Sequence, residues 1–420
     1  MDASCLTVVV VGHVDHGKST LIGRLLHETG ALAQGRLEEI GGGSHEAEPE
    51  WAFLMDHLRE EREQERTIES AQAFFATSKR AYRIVDAPGH REFIKNMVTG
   101  AAQADAAILV VDVEAGVGEQ TRRHAALLAM LGQRQVVVTI NKMDRVGGRR
   151  NDFEAAAGAT DALLREIALP PRFVIPISAK EGWGLASRAT SLDWYDGPTL
   201  LEALDTLTSP EPLSRRPLRF PVQDIYELSG RKIVVGRIET GHLAEGQSVL
   251  CLPAGETARI ASVERFLEDR TSAEAGESIG LRVEGARELQ RGDVLCDCDA
   301  PAPVVQRFEA NLFWLREDGW ARGDSLLLRC ATQEAPCRIE SVSQRIDSST
   351  LEVLETDAAH LEATEVAHVV VAADRPIVVE EFARRPAGNP LGRFVLLKDG
   401  TLSAGGTVLQ AQERGRKAER

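Results

Sequence analysis

An apolar run, "LTVVVV" at residues 6–11, breaks into "GHVDHGKST" at 12–20 and then into the helical pattern "KSTLIGRLLHET". Strand, glycine-rich loop and helix in that order leave few folds open to the chain. Gly12, Gly17, Lys18 and Ser19 match G-x4-G-K-[ST], a loop whose glycines let backbone N–H groups turn inward around phosphate oxygens. His13, Val14, Asp15, His16 and Thr20 complete the phosphate-binding stretch. Lys18 is expected to reach the terminal phosphates and to stabilise charge during their chemistry, and the Ser19 hydroxyl to ligate Mg²⁺. The start of the following helix adds a partial positive charge. Asp15 either helps bind a monovalent cation or bonds nearby backbone N–H groups. His13 and His16 read as fillers of the loop.

Further strands are expected at "YRIVDA", "AAILVVD", "QVVVTI" and "FVIPIS", with helices such as "TRRHAALLAMLG" between them. The apolar runs do not alternate, which marks strands buried on both faces. The fold class expected is an α/β P-loop domain with a doubly wound, mostly parallel sheet, followed by two β-barrels. Prolines cluster at 208–217. Beyond them come short strands with turn glycines, "KIVVGRIETGHLAEGQSVLCLP", "ESIGLRVEG" and "RGDVLCD". "DAPAP" at 299–303 is a second break, ahead of "RFEANLFWL", "DSLLLRC", "CRIESVSQRID", "EVAHVVVAA" and "GRFVLLKDG". The expected domains are 1–208 for the nucleotide domain, 209–302 and 303–410 for the barrels, and 411–420 for a charged tail.

Apolar residues make up 43% of the 420 and charged residues 27%, as in ordinary soluble chains. No apolar run approaches the roughly 20 residues of a membrane span, and the N-terminus lacks a basic region and cleavage site. A cytoplasmic location is expected. Six cysteines are scattered without zinc spacing, which predicts reduced structural thiols. The net charge of −15 argues against broad nucleic-acid binding but leaves room for a local basic patch.

Three more motifs stand at strand ends. In "DAPGH" at 86–90, Asp86 can hold Mg²⁺ through water, the Gly89 N–H can bond a γ-phosphate, and His90 can orient an attacking water. In "NKMD" at 141–144, Asp144 can accept from the N1–H and 2-amino group of guanine, two donors that adenine lacks. Asn141 and Lys142 brace the base and the phosphate loop. In "SAK", the backbone N–H groups of Ser178, Ala179 and Lys180 can meet guanine O6. Four motifs in this order point to GTP with Mg²⁺ and to attack of water on the γ-phosphate.

"GHVDHGKST", "DAPGHREFIKNMVTGAAQADAAILVVD" and "NKMD" resemble the GTPase domain of the translation-factor superfamily, elongation factor one alpha above all. "PLRFPVQDIYELSGRKIVVGRIETGHLAEGQSV" is similar to its first barrel. "ASRATSLDWYDGPTLLEALDTL", "TRRHAALLAMLGQRQVVVTINKMD" and "NLFWLREDGWARGDSLLLRC" look like the GTPase large subunit of bacterial sulfate adenylyltransferase. That resemblance implies a smaller catalytic subunit as partner, with GTP hydrolysis driving adenylyl sulfate synthesis. The translation branch, which implies aminoacyl-tRNA as partner, is the alternative. No second G-x4-G-K is present, so a fused kinase is not expected.

One departure stands out. Where the superfamily's first switch usually reads E-R-E-x-G-I-T-I-D, this chain reads "EREQERTIES" at 61–70. Thr67 keeps its place, where the resemblance implies a ligand for Mg²⁺ and a catalytic role. Glu65 and Arg66 replace Gly-Ile, and glutamate is disfavoured where glycine adopts φ > 0. Either hydrolysis is slow without a partner or the loop tolerates the change. His27, His57 and His124 are expected on helix surfaces, and Trp194 and Tyr195 in core or lid packing, with cover of an interface as the alternative.

Overall fold

The computed structural model describes residues 5–31, 72–86, 104–130, 132–209, 211–228, 230–265, 268–286, 288–348, 350, 352–382 and 389–412. It divides into two compact units, the first made up mainly of the residues up to Ser209.

In the first unit the strands are β1 (Leu6–Gly12), β2 (Gln72–Ala76), β3 (Ala81–Asp86), β4 (Ala106–Asp112), β5 (Val136–Asn141) and β6 (Phe173–Pro176). They form one sheet in the order β2-β3-β1-β4-β5-β6. Every pair from β3 to β6 is parallel, and β2 runs antiparallel at the edge. All residues of β1, β4 and β5 are buried, as their unbroken apolar runs require. β2 alternates instead: Ala73 and Phe75 point into the core while Phe74 faces solvent. Its "QAFFA" is too short to announce a strand without its partner β3.

The helices are α1 (Lys18–Glu28), α2 (Glu119–Met130), α3 (Arg150–Glu166) and α4 (Leu200–Asp205). Thr199 caps α4 in a reciprocal box with Glu202. The other end of α4 is tied to the sheet, where the Tyr82 hydroxyl and Thr77 Oγ1 donate to Asp205 Oδ1 at 2.6 and 2.8 Å. Trp194 packs on Phe153 with ring centroids 5.3 Å apart and donates to the Gly148 carbonyl at 2.7 Å. Trp194 and Tyr195 are thus packing residues, as expected. His124 is not on the surface of α2: it is buried at 2% exposure. Thr121, His124, Ala125 and Leu128 share the inward face of that helix, and their i, i+3, i+4, i+7 spacing is legible in the sequence.

The second unit holds two barrels. In the first lie β7 (Arg219–Leu228), β8 (Arg231–Arg237), β9 (His242–Ala244), β10 (Ser248–Leu252), β11 (Glu256–Arg265), β12 (Glu268–Arg270), β13 (Ser272–Glu274), β14 (Ser278–Glu284) and β15 (Val294–Asp297). The order β10-β15-β7-β8-β14-β11 closes through a β10–β11 pairing. In the second lie β16 (Val304–Trp314), β17 (Trp320–Ala321), β18 (Leu326–Cys330), β19 (Gln333–Ile346), β20 (Val353–Thr356), β21 (His360–Leu361), β22 (Val366–Val378), β23 (Arg393–Lys398) and β24 (Thr401–Gln412). There the order β18-β23-β24-β16-β22-β19 closes through β18–β19. Closure removes the free edges that an open sheet of this size would expose.

The two barrels share more than a linker. Arg219 of the first, 5% exposed at its side chain, meets Glu380 beyond β22 at 2.7 Å. The same guanidinium donates to the Leu218 and Ala300 carbonyls at 2.8 and 3.0 Å. Leu252, Val294 and Cys296 of the first barrel belong to the apolar cluster built around Phe308, Trp314 and Val378 of the second. All six cysteines are free thiols. Burial pushes Cys251, Cys330 and Cys337 up to about 12, which keeps them unreactive at neutral pH. Among the described residues no helix is long and apolar enough to cross a membrane.

Candidate functional site

In a parallel sheet the loops that follow the strands gather at one edge, and ligands bind there where the strand order reverses. β1 sits between β3 and β4, so the phosphate loop leaves the sheet at such a reversal. The loop's shape depends on its two glycines. Gly12 has φ +150°, and a Cβ there would run into the Val110 carbonyl of β4. Gly17 has φ +89° and caps α1. A Cβ on it would lie 2.5 Å from Asn141 Nδ2.

Between them Lys18 curls back over the loop, with Nζ donating to the Gly12 and His13 carbonyls at 2.8 Å each. His16 is buried. Its Nδ1 lies 3.3 Å from both the Val110 carbonyl and the Asp112 N–H. Burial lowers its pKa, so the ring is neutral and can accept from that N–H. Val14 and Asp15 are exposed, and Asp15 has φ +64°. The His13 ring tilts against His16 at 5.1 Å between centroids.

The buried His124 stands near this cluster. Burial, with help from the Lys18 and Arg123 charges, pushes its pKa down to about 3. A neutral imidazole therefore backs the loop at physiological pH, without competing with Lys18 for an anion.

The base-reading segment lies at the end of β5. Asn141 is buried, and its Nδ2 donates to the His16 carbonyl at 2.8 Å, tying the segment to the phosphate loop. Its Oδ1 accepts from the Ala179 N–H at 2.9 Å. The O6 contact expected of the 178–180 stretch therefore has to share the Ala179 N–H with Asn141. Ser178 Oγ donates to Asp144 Oδ1 at 2.5 Å and fixes the orientation of that carboxylate. The Lys180 carbonyl accepts from Arg24 of α1 at 3.1 Å, while its side chain is exposed. Lys142 reaches the neighbouring strand end. Its ammonium meets Asp112 at 2.7 Å, and Asp112 in turn bonds His16 of the phosphate loop.

Asp86 ends β3, buried at 1% exposure, in line with Val10 of β1. Ser19 opens the first turn of α1 with Thr20 beside it, both half-buried. Thr67, Gly89 and His90, with Glu65, Arg66 and His57, lie outside the described residues. No group of three or more His, Cys, Asp or Glu among the described residues could hold a metal. The arrangement fits an ion held partly by phosphate oxygens, with Ser19 and Asp86 offering the protein's share. Gly12 and Gly17, where a Cβ would collide with Val110 and Asn141, hold the loop in a turned form that fits a triphosphate tail.

Fold and site together define a P-loop GTPase of the translation-factor class. The Elongation factor Tu GTP binding domain matches residues 3–210, Elongation factor Tu domain 2 matches 231–296, and the GTP-eEF1A C-terminal domain-like family matches 307–409. Elongation factor 1-alpha of Archaeoglobus fulgidus is 41% identical over 97% of this chain and 98% of its own. That of Methanothermobacter thermautotrophicus is 40% identical over 96% and 97%. A structure of sup35 complexed with GDP is 27% identical over 98% of this chain and 95% of its own, with a TM-score of 0.46. The chain belongs to the elongation factor 1-alpha family. It is a GTPase, and its ligands are GTP and Mg²⁺.

These relatives overturn the expected place in the sulfate adenylyltransferase branch, and with it the smaller catalytic subunit as partner and adenylyl sulfate synthesis as the driven reaction. The structure shows why the 186–207 stretch misled. Trp194 covers Phe153, Thr199 caps α4, and Leu200, Ala203 and Leu204 are buried. Such residues serve packing within the GTPase domain and do not record what the domain acts on.

Proposed function

We propose that this chain is a translational GTPase that carries aminoacyl-tRNA in its GTP form and acts in the cytoplasm. The observation that carries the reading is the match to elongation factors 1-alpha along nearly the whole chain, both barrels included. Arg231, Lys232 and Arg237 are exposed along β8 and offer positive charge on an otherwise acidic protein. With a net charge of −15, recognition has to rest on such local contacts.

Within the site, the N–H groups of the phosphate loop and Lys18 hold the phosphates, and Ser19, Asp86 and Thr67 hold Mg²⁺. Bound there, Mg²⁺ would neutralise charge on the phosphate oxygens. Asp144 reads the base, Asn141 and Ala179 hold its loop in place, and His90 orients the water. Binding to charged tRNA is tested by protection of the aminoacyl ester against spontaneous hydrolysis. The GTP-loaded chain is expected to slow ester loss several-fold and the GDP-loaded chain to leave it unchanged. Equal rates with both nucleotides would sink the reading.

A further inference from the structure

The C-terminal end of β4 does something that none of the nucleotide motifs accounts for. Asp112 closes that strand, 5% exposed, directly opposite Asn141 of β5. Its Oδ2 meets Lys142 Nζ at 2.7 Å. Its Oδ1 accepts from the Glu114 and Ala115 N–H groups at 2.8 and 3.4 Å. Its own N–H donates to His16 Nδ1 at 3.3 Å. One residue therefore touches the phosphate loop and the base-reading loop at once.

The base-reading loop has reason to need such support. Lys142 has φ +65°, a left-handed conformation that side chains disfavour. A lysine also carries much rotamer freedom, which an unpaired ammonium would keep. Burial raises the Asp112 pKa, but the Lys142 ammonium and the two amides more than offset this and hold it below its ordinary value. The carboxylate is thus charged throughout the physiological range and faces the Lys142 ammonium at 2.7 Å.

We propose that Asp112 is a positioning residue for guanine-nucleotide binding. Its carboxylate pins Lys142 and its backbone N–H holds His16, so that the base-reading and phosphate loops keep one register. The inference rests on residues 141–144 reading the base. Asp112 touches no nucleotide atom itself. Its effect is on how long the nucleotide stays.

The test uses the full chain and fluorescent GDP. Asp112→Asn keeps an acceptor for the two amides and removes the charge that faces Lys142. It is expected to speed GDP release about tenfold, the loss of one charge-assisted hydrogen bond. Inosine diphosphate, which lacks the 2-amino group, should be released faster by the same factor, because Asp144 is untouched. In a Lys142→Met background, adding Asp112→Asn should change release less than about twofold, since the pair is already broken. Asp112→Glu should restore slow release. Unchanged release in Asp112→Asn, or the same acceleration with and without Lys142, would overturn the proposal. If Asp112→Asn does not fold, Lys142→Arg, which keeps a cation facing Asp112, is set against Lys142→Met: slow release kept only in Lys142→Arg supports the pairing, and equal release in both refutes it. Failure of the base-reading assignment would show separately, as an Asp144→Asn variant with unaltered base preference.

Discussion

Asp144→Asn is expected to turn a GTP-preferring protein into one that prefers xanthosine triphosphate. Ser178 Oγ donates to Asp144 Oδ1 at 2.5 Å. An amide at this position keeps that bond only by turning its carbonyl toward Ser178, which leaves its NH₂ facing the base. Against guanine, the NH₂ meets the 2-amino group, donor against donor. One charge-assisted bond is lost, so GTP affinity should fall at least about tenfold, at 1.4 kcal/mol per decade. Xanthine carries a C2 carbonyl at that position and accepts from the same NH₂, while the amide carbonyl still takes the N1–H. Affinities of both proteins for both nucleotides decide the matter. A variant that favours GTP as strongly as its parent would show that Asp144 does not read the base.

His90→Ala is expected to slow GTP hydrolysis by about 10²–10⁴-fold, the usual contribution of a group that directs a proton or water in the transition state. GTP affinity should stay within about a factor of three, because an imidazole acting on the water makes little contact with the bound nucleotide. The separation between turnover and binding is what makes the result informative. Single-turnover hydrolysis and equilibrium GTP binding, measured on the same preparation, give both numbers. A parallel loss of affinity and rate would assign His90 to the shape of its turn instead.

The parts of this site that the sequence disclosed are those in which chemistry and conformation coincide locally. Gly12 and Gly17 are glycine because the backbone turns there against Val110 and Asn141, and the same turn makes the phosphate cradle. Asp86, Asn141 and Ser178 were legible for a different reason. Each follows an apolar run, and parallel strands deliver their ends to one edge. The pairing of Asp112 with Lys142 was not legible, since it depends on the register of β4 against β5 and on a lysine in a left-handed conformation. The burial of His124 was legible and missed: a charged-looking "TRRH" hid the inward stripe. The choice between sulfate activation and translation rested on residues such as Trp194 and Thr199 that pack inward. A buried contact reports the fold far better than it reports a partner.

The cluster that joins Leu252, Val294 and Cys296 to Phe308 and Trp314 bears on how the protein can be taken apart. A fragment ending after β15 would lay those three side chains open to water and take Glu380 and the Ala300 carbonyl away from the Arg219 guanidinium. Exposing a side chain such as Leu252 or Val294 costs about 1.5–3 kcal/mol, a large share of a small domain's stability. A cut after β15 divides this cluster, whereas one near Ser209 leaves it whole. A tRNA-binding assay on an isolated first barrel would measure the consequences of misfolding rather than the affinity of a domain.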